Sequence, residues 1–291
     1  MVAPINPMII KEALRYGNKK LNNANIESEL LLASLLKTDR VFLLTHGEKK
    51  ISKLQFAKYQ KLLKQRLAFW PIAYLTGHKY FYGLDFFVNK NVLVPRPETE
   101  IMVDEILEIA AGTKLQPEII DIGTGSGCII ISLAKNINKK ISLIGIDISS
   151  QALAVAKKNA KNLKAEKIKF IKSYLLEKVL PSLKPNNKKH LIIAANLPYL
   201  SPSQIKESPS IKREPRLALV AGSKGLKYYQ QLFAQITTIK YPRITVLCEI
   251  DPRQKNDMAK LIEQKLPNSL YKIKNDPAGL DRLVIIEINS K

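Results

Sequence analysis

The sequence is poor in the features that mark specialised protein classes. It holds two cysteines, Cys128 and Cys248, in 291 residues. That is too few for a disulfide framework, and each sits in an apolar stretch, so a reducing, cytoplasmic setting is expected. Long hydrophobic runs are missing as well. The densest stretch, Cys128 to Leu133, falls far short of the roughly 20 residues a membrane span needs, and no membrane partner is expected. The opening segment, MVAPINPMIIKEALRYG, lacks the basic start, apolar block and small-residue cleavage site of a signal peptide. Histidine is scarce: His46, His78 and His190 show no metal-ligand spacing, so no metal is expected and each reads as a surface or hinge residue.

Acidic residues are also few. Twenty-five Asp and Glu stand against 47 Lys and Arg, a net charge of +22. Apolar residues at 46% and charged residues at 25% are the balance of a globular chain, which excludes a disordered tail or a collagen-like repeat. The excess charge points toward a polyanion as partner. Two observations hold that reading back. Only nine of the basic residues are Arg, and Lys is the weaker choice for bidentate phosphate or base contacts. The charge is also spread over the chain, with 15 basic and 6 acidic groups in residues 1–90. A solvated basic surface and a polyanion site both remain open.

Residues 1–75 read as a small helical bundle. Pro7 to Tyr16, Ile26 to Leu36 and Lys53 to Phe69 place apolar residues at spacings of three and four, and Ser52 is a fitting N-cap. The texture changes after Trp70-Pro71. Residues 76–95 read as a β-hairpin linker, rich in aromatic and β-branched residues with Gly83 and Asn89 as turn candidates. Residues 96–291 then alternate strands and helices. A helix spans Pro97 to Ala111, followed by a strand at Ile119 to Ile122 and a helix from Gly127 to Asn136. Next come a strand at Ser142 to Ile148, a helix at Gln151 to Leu163, and strands at Ile168 to Ser173 and Leu191 to Ala195. A strand at Ile244 to Ile250, a helix at Gln254 to Lys265, and strands at Leu270 to Lys274 and Leu283 to Ile288 complete the pattern. Continuous apolar strands between amphipathic helices predict an α/β fold: a Rossmann-like, doubly wound parallel sheet ending in an antiparallel strand.

Two constellations carry chemistry. The first, Asp121-Ile122-Gly123-Thr124-Gly125-Ser126-Gly127, follows a strand and opens a helix. Glycines there let the backbone turn sharply and approach a ligand. Asp147 ends the next strand, placed to accept hydrogen bonds from both hydroxyls of a ribose. The G-x-G-x-G spacing differs from the dinucleotide G-x-G-x-x-G, and without a pyrophosphate to hold it suits S-adenosylmethionine better. The second is Asn196-Leu197-Pro198-Tyr199, at the end of the fourth strand of the sheet. An amide or exocyclic amine nitrogen is a poor nucleophile because its lone pair is delocalised. Hydrogen bonds from its two hydrogens to the Asn196 side-chain oxygen and the Leu197 carbonyl would aim that lone pair at a methyl donor. Tyr199 would hold the planar group by stacking.

Beyond these motifs, three blocks resemble one family over nearly the whole chain. They are PIAYLTGHKYFYGLDFFVNKNVLVPRPETE (Pro71 to Glu100), EPRLALVAGSKGLKYY (Glu214 to Tyr229) and NDPAGLDRLVIIE (Asn275 to Glu287). The chain is similar to the peptide-chain-release-factor glutamine methyltransferases, the HemK or PrmC family. The resemblance implies methyl transfer from S-adenosylmethionine, leaving S-adenosylhomocysteine, to the glutamine of the Gly-Gly-Gln tripeptide of release factors. It implies Asn196, Pro198 and Tyr199 as catalytic residues and Asn196, Leu197, Pro198 and Tyr199 as the substrate site. Asp121, Gly123, Thr124, Gly125, Ser126, Gly127, Asp147 and Asn196 would hold the cofactor. The helical N-terminal domain would help recognise the release factor, and Val94-Pro95-Arg96-Pro97 would lie near the active site.

Two positions depart from the family pattern. Leu197 replaces the first proline of Asn-Pro-Pro-Tyr, a change expected to cost rigidity more than chemistry, because the inferred contact uses the carbonyl. Asn-Leu-Pro-Tyr also resembles ribosomal RNA adenine dimethyltransferases, which makes a nucleic-acid adenine methyltransferase the alternative. Ser173-Tyr174-Leu175 lacks the acidic residue expected near the adenine. A third reading, a catalytically dead binding protein, is opposed by the intact Asn196 and Tyr199.

Overall fold

A computed structural model describes residues 8–139, 141–207, 209 and 211–289. The chain divides into two compact units, one ending at His78 and the other beginning at Lys79.

Among its described residues the first unit contains five helices: α1 (Ile10–Lys20), α2 (Asn25–Leu36), α3 (Arg40–Thr45), α4 (Lys53–Leu67) and α5 (Ile72–Thr76). Ser52 caps α4 as its sequence requires. Its hydroxyl accepts from the Gln55 N–H at 3.1 Å while the Gln55 side chain accepts from the Ser52 N–H at 2.7 Å. Asp39 caps α3, accepting from the Phe42 N–H at 2.7 Å. Ile10, Leu31, Leu32, Leu43, Tyr59 and Leu63 form the centre of the core. Tyr59 carries a hydroxyl into it, satisfied by the Ser28 hydroxyl at 2.7 Å and the Ser28 carbonyl at 3.1 Å. Gly17 leaves the room: a Cβ there would stand 2.0 Å from that hydroxyl oxygen. The first helix runs further than its apolar spacing predicts, to Lys20, and Pro7 lies outside the described residues. Helices α3 and α5 are each about one turn or two and too short to show a period.

The boundary between units falls within β1 (His78–Phe81), which pairs with β2 (Leu84–Phe87) as a hairpin. Tyr82 and Gly83 both take positive φ, 50° and 71°, the conformation of a tight two-residue hairpin turn. The hairpin is therefore shorter than the sequence suggests, and Asn89 lies beyond it. A single 3₁₀ turn at Pro97–Thr99 then leads into α6 (Glu100–Gly112), so the proline opens a 3₁₀ turn ahead of the α-helix.

The sheet comprises β3 (Gln116–Ile122), β4 (Ser142–Asp147), β5 (Lys169–Lys172), β6 (Lys189–Ala195), β7 (Arg243–Glu249), β8 (Leu270–Asn275) and β9 (Asp281–Asn289). Its order is β5-β4-β3-β6-β7-β9-β8. β3 to β7 run parallel, and β9 is antiparallel to both neighbours. Helices α7 (Cys128–Asn136), α8 (Ser150–Asn162), α9 (Gln204–Glu207), α10 (Lys227–Ile236) and α11 (Lys255–Lys265) occupy the connections. Of these, α9 and α10 are not among the helices that the sequence predicts. The chain leaves β3 to one side through β4 and β5 and to the other through β6 and β7. That makes the carboxyl ends of β3 and β6 the switch point where ligands bind in such sheets.

His190 corrects its expected place. It is fully buried in β6, with Nε2 2.8 Å from the Thr245 hydroxyl. Burial and the nearby Arg243 hold its pKa down to about 4, so it is a neutral core residue.

Candidate functional site

At the switch point lies a cleft with about 1120 Å³ of empty space, including its open mouth. Its floor is the glycine loop between β3 and α7. Gly123, Gly125 and Gly127 have φ of 73°, 55° and 81°, values that L side chains avoid. A Cβ at Gly127 would meet Ile131 Cδ1 at 2.8 Å, so packing demands that glycine. A Cβ at Gly125 would meet nothing nearer than 3.8 Å. The space beside Gly125 is left to the cleft.

Hydrogen bonds from Asn159 to the Ser126 carbonyl at 2.9 Å and from the Gly127 N–H to the Thr124 carbonyl at 2.7 Å help hold the loop, and three more tie it to the strands. The Thr124 N–H donates to the Ile146 carbonyl at 2.8 Å, and the Thr124 hydroxyl donates to Asp121 Oδ2 at 2.6 Å. The Gly125 N–H donates to Asp147 Oδ2 at 2.9 Å. Asp121 lies beneath the loop and does not line the cleft; burial pushes its pKa up to about 7 against the pull of the Thr124 hydroxyl. Asp147 does line it. Its Oδ1 accepts from the Ser149 N–H at 2.8 Å, so each carboxylate oxygen has one bond and a further lone pair. Burial raises the Asp147 pKa while these backbone donors lower it. Ser173, Tyr174 and Leu175 add to the wall; the Tyr174 hydroxyl donates to Gln231, and its ring meets Tyr228 edge-on at 6.4 Å.

The opposite wall is the end of β6. Leu197 is 4% exposed, and a Cβ at Gly123 would touch its Cδ2 at 3.2 Å. The non-proline side chain thus packs against the glycine loop. Asn196 and Pro198 line the cleft, whereas Tyr199 does not. Its hydroxyl instead donates to Glu249 Oε1 at 3.2 Å, and burial beside that carboxylate raises its pKa. The expected stacking surface is thus a half-buried ring anchored by its hydroxyl.

Several site residues were missed in the sequence. Asn196 Nδ2 donates to the Thr99 hydroxyl at 3.1 Å and to Glu249 Oε2 at 3.0 Å, and Thr99 donates to the same Oε2 at 2.6 Å. Glu249 and Thr99 are each 2% exposed. Gln254 holds the Tyr199 carbonyl at 2.8 Å. At the mouth, Glu214 accepts from the Val94 N–H at 3.1 Å and from Arg96, joining two of the distinctive sequence blocks. A single signal was available for Glu249: a carboxylate closing an otherwise apolar strand, VLCEI.

Comparison with known proteins agrees in both units. The family model "PrmC N-terminal domain" matches residues 12–77, and "Methyltransferase domain" matches residues 116–233. A release factor glutamine methyltransferase of Bacillus anthracis is 34% identical over 290 residues, covering 97% of this chain and 100% of that one. One from Clostridium acetobutylicum is 34% identical over 286 residues, covering 96% and 98%. Among solved structures, the hMettl16 catalytic domain in complex with MAT2A 3′UTR hairpin 1 superposes with a TM-score of 0.56 at 13% identity. It covers 89% of this chain and 90% of that one, a likeness of fold alone. Near-complete coverage at this identity places the whole chain, helical unit and sheet unit together: it belongs to the release factor glutamine methyltransferase family.

Proposed function

We infer that this chain transfers a methyl group from S-adenosylmethionine to the side-chain amide nitrogen of the glutamine in the Gly-Gly-Gln motif of peptide chain release factors. The observation that carries this reading is the Asn196 amide. Both of its N–H groups are engaged behind it, on Thr99 and Glu249, and Asn196 itself lines the cleft beside the glycine loop. An acceptor so placed suits a substrate that arrives as an NH₂ donor.

The cleft suits the cofactor on its own terms. The space beside Gly125, the spare lone pairs of Asp147 and the apolar wall at Ile148, Ala152 and Tyr174 fit a nucleoside. When bound, the sulfonium supplies an activated methyl group. The chain's contribution is orientation. Asn196 Oδ1 and the Leu197 carbonyl would accept hydrogen bonds from the two amide hydrogens, aiming the nitrogen lone pair at the methyl; they would stabilise the positive charge that develops as the N–C bond replaces the S–C bond, until one of the two protons is released. Asp121 and Thr124 set the loop, Pro198 stiffens the strand end, and Tyr199 anchors through Glu249. The helical unit recognises the release factor, and the enzyme acts in the cytoplasm.

Methyl transfer from labelled S-adenosylmethionine, offered purified release factor and ribosomal RNA in parallel, tests the reading. Label on the Gly-Gly-Gln glutamine supports it. Label on RNA adenine with none on the factor would replace it with the nucleic-acid reading.

A further inference from the structure

We propose that Glu249 is a positioning residue that locks the Asn196 amide in one of its two flip states, and so makes the site read NH₂ and reject a carboxylate. The inference rests on the amide-methylation reading and deepens it.

An asparagine side chain has two nearly isosteric orientations, one presenting an acceptor and the other a donor. Nothing in Asn196 alone chooses between them. The surroundings do. Nδ2 faces two oxygens, Thr99 Oγ1 at 3.1 Å and Glu249 Oε2 at 3.0 Å. Thr99 accepts from Asn196, so its single proton goes to Glu249, at 2.6 Å. The Tyr199 hydroxyl donates to the other carboxylate oxygen at 3.2 Å. Every donor around Glu249 points at it, as an acceptor-only carboxylate demands. A flipped Asn196 would lose both bonds and set Oδ1 against the Glu249 carboxylate, and Thr99 could turn its proton to Oδ1 only by giving up its bond to Glu249, in a buried site where unpaired polar contacts are most costly. Oδ1 is therefore held toward the cleft, and among the described residues it has no hydrogen-bond partner of its own.

The rest of the neighbourhood keeps Glu249 in place. Tyr229 bridges the carbonyls of Ala195 and Glu249, joining the ends of β6 and β7. Burial, with Glu98 nearby, raises the Glu249 pKa; the Thr99 and Tyr199 hydroxyls and the charge of Arg282, which donates to the Ile250 carbonyl at 3.2 Å and to Asp276 at 3.1 Å, oppose that shift. Thr99 comes from the PRPETE block, Asn196 and Tyr199 from the NLPY motif, and Arg282 from the NDPAGLDR block. These distant segments converge on one carboxylate.

The discriminating substitution is Glu249→Gln, because a glutamine can donate to Oδ1 of a flipped Asn196 and release the lock. The full chain is assayed with a release factor bearing Gly-Gly-Gln as substrate and the same factor bearing Gly-Gly-Glu as competitor. For E249Q we expect kcat to fall at least tenfold, S-adenosylmethionine affinity to stay within twofold, and inhibition by the Gly-Gly-Glu factor to strengthen at least tenfold relative to wild type. Thr99→Val removes the bridging hydroxyl at nearly constant volume and should move the same ratio in the same direction by less. If E249Q does not fold, T99V decides. In the wild-type enzyme, the Asn196 side-chain NH₂ signal, assigned by its loss in Asn196→Asp, should exchange slowly with solvent; fast exchange overturns the lock without any Glu249 variant. An active wild type whose amide-to-carboxylate preference is unmoved in the folded variants overturns the inference and leaves the function standing. A wild type inactive on the Gly-Gly-Gln factor overturns the function and the inference with it.

Discussion

Asp147 Oδ2 accepts the Gly125 N–H at 2.9 Å, tying the end of β4 to the middle of the glycine loop. The carboxylate therefore holds the glycine loop, and it keeps a spare lone pair on each oxygen, which the proposed reading assigns to a ribose. Its Oδ1 holds the Ser149 N–H as well, at 2.8 Å. Asp147→Ala should cost more than a ribose contact. Each hydrogen bond to a charged group contributes about 1.5–3 kcal/mol, so S-adenosylmethionine affinity should fall by roughly tenfold or more. Calorimetry finding wild-type affinity in a folded variant would refute the assignment.

Leu197 packs against Gly123, but the contact inferred for catalysis is through its carbonyl. Leu197→Pro keeps that carbonyl and much of the apolar volume. Glutamine methylation should stay within about tenfold of wild type, a barrier change of roughly 1.4 kcal/mol. Leu197→Ala removes the packing instead, opening a cavity worth about 2–5 kcal/mol of stability. Steady-state kinetics and urea unfolding of the pair separate these effects. Leu197→Pro losing all activity with its fold intact, or turning to RNA, would show that the motif's role has been misassigned.

Gly225 and Gly222 offer a matched contrast. Their φ values are 70° and 76°, so alanine at either is strained by about 1–2 kcal/mol. At Gly225 the new Cβ would also fall 2.0 Å from the Tyr199 carbonyl oxygen and 2.2 Å from Gln254 Nε2, whereas at Gly222 its nearest neighbour is Lys227 Cβ at 3.8 Å. Gly225→Ala should displace Tyr199 and abolish most methyl transfer, while Gly222→Ala should lose only a few degrees of Tm. Equal activity in the two variants would mean that the Tyr199 backbone need not be fixed.

Asp121 imposes a pH dependence on stability. In the unfolded chain it titrates near 3.8, and burial pushes it up to about 7 in the folded protein. Between those values the folded state keeps a proton that the unfolded state has released. Its contribution to stability is therefore complete at low pH, declines as pH rises through this window, and levels off above it. Asp121→Asn keeps an acceptor for Thr124 and cannot ionise. The stability difference in favour of the variant should grow by a few kcal/mol from pH 4 to pH 8. Urea unfolding without cofactor at several pH values measures it, and a pH-independent difference would rule the effect out.

Legibility in the sequence followed the distance between cooperating residues. The glycine loop, Asp147 and Asn196 were readable because each lies in a short contiguous motif at a strand end, and the apolar strands announced the sheet that presents them. The Glu249 cluster was not. Its partners Thr99, Asn196 and Tyr199 lie 150, 53 and 50 residues away, and only the sheet order brings them together. His190 reads as a surface or hinge residue in the sequence, at the end of a Lys-rich loop; pairing of β6 with β7 buries it against Thr245. Helix α10 was overlooked beside the GSKGLKYY resemblance, although its buried Tyr229, Leu232, Phe233 and Ile236 have helical spacing.

The helical unit offers a way to separate substrate recognition from cofactor binding in the intact chain. Gly17 sits in α1 where a Cβ would stand 2.0 Å from the Tyr59 hydroxyl oxygen and 2.5 Å from Ser28 Oγ. These atoms are themselves bonded in the core of the unit, so neither can withdraw without leaving a buried polar group unpaired. Gly17→Ala should therefore loosen the packing of α1 against α2 and α4 by overpacking, at a cost of about 1–3 kcal/mol. The hydrogen bonds described for the glycine loop and Asp147 come from within the second unit, so S-adenosylmethionine affinity should match wild type. Methylation of intact release factor should fall, because contacts remote from the reacting atoms orient a protein substrate in the transition state. A short Gly-Gly-Gln peptide cannot reach those contacts, and both enzymes should methylate it poorly and to the same extent. If Gly17→Ala measurably lowered the stability of the helical unit yet methylated intact factor at the wild-type rate, recognition could not reside in that unit.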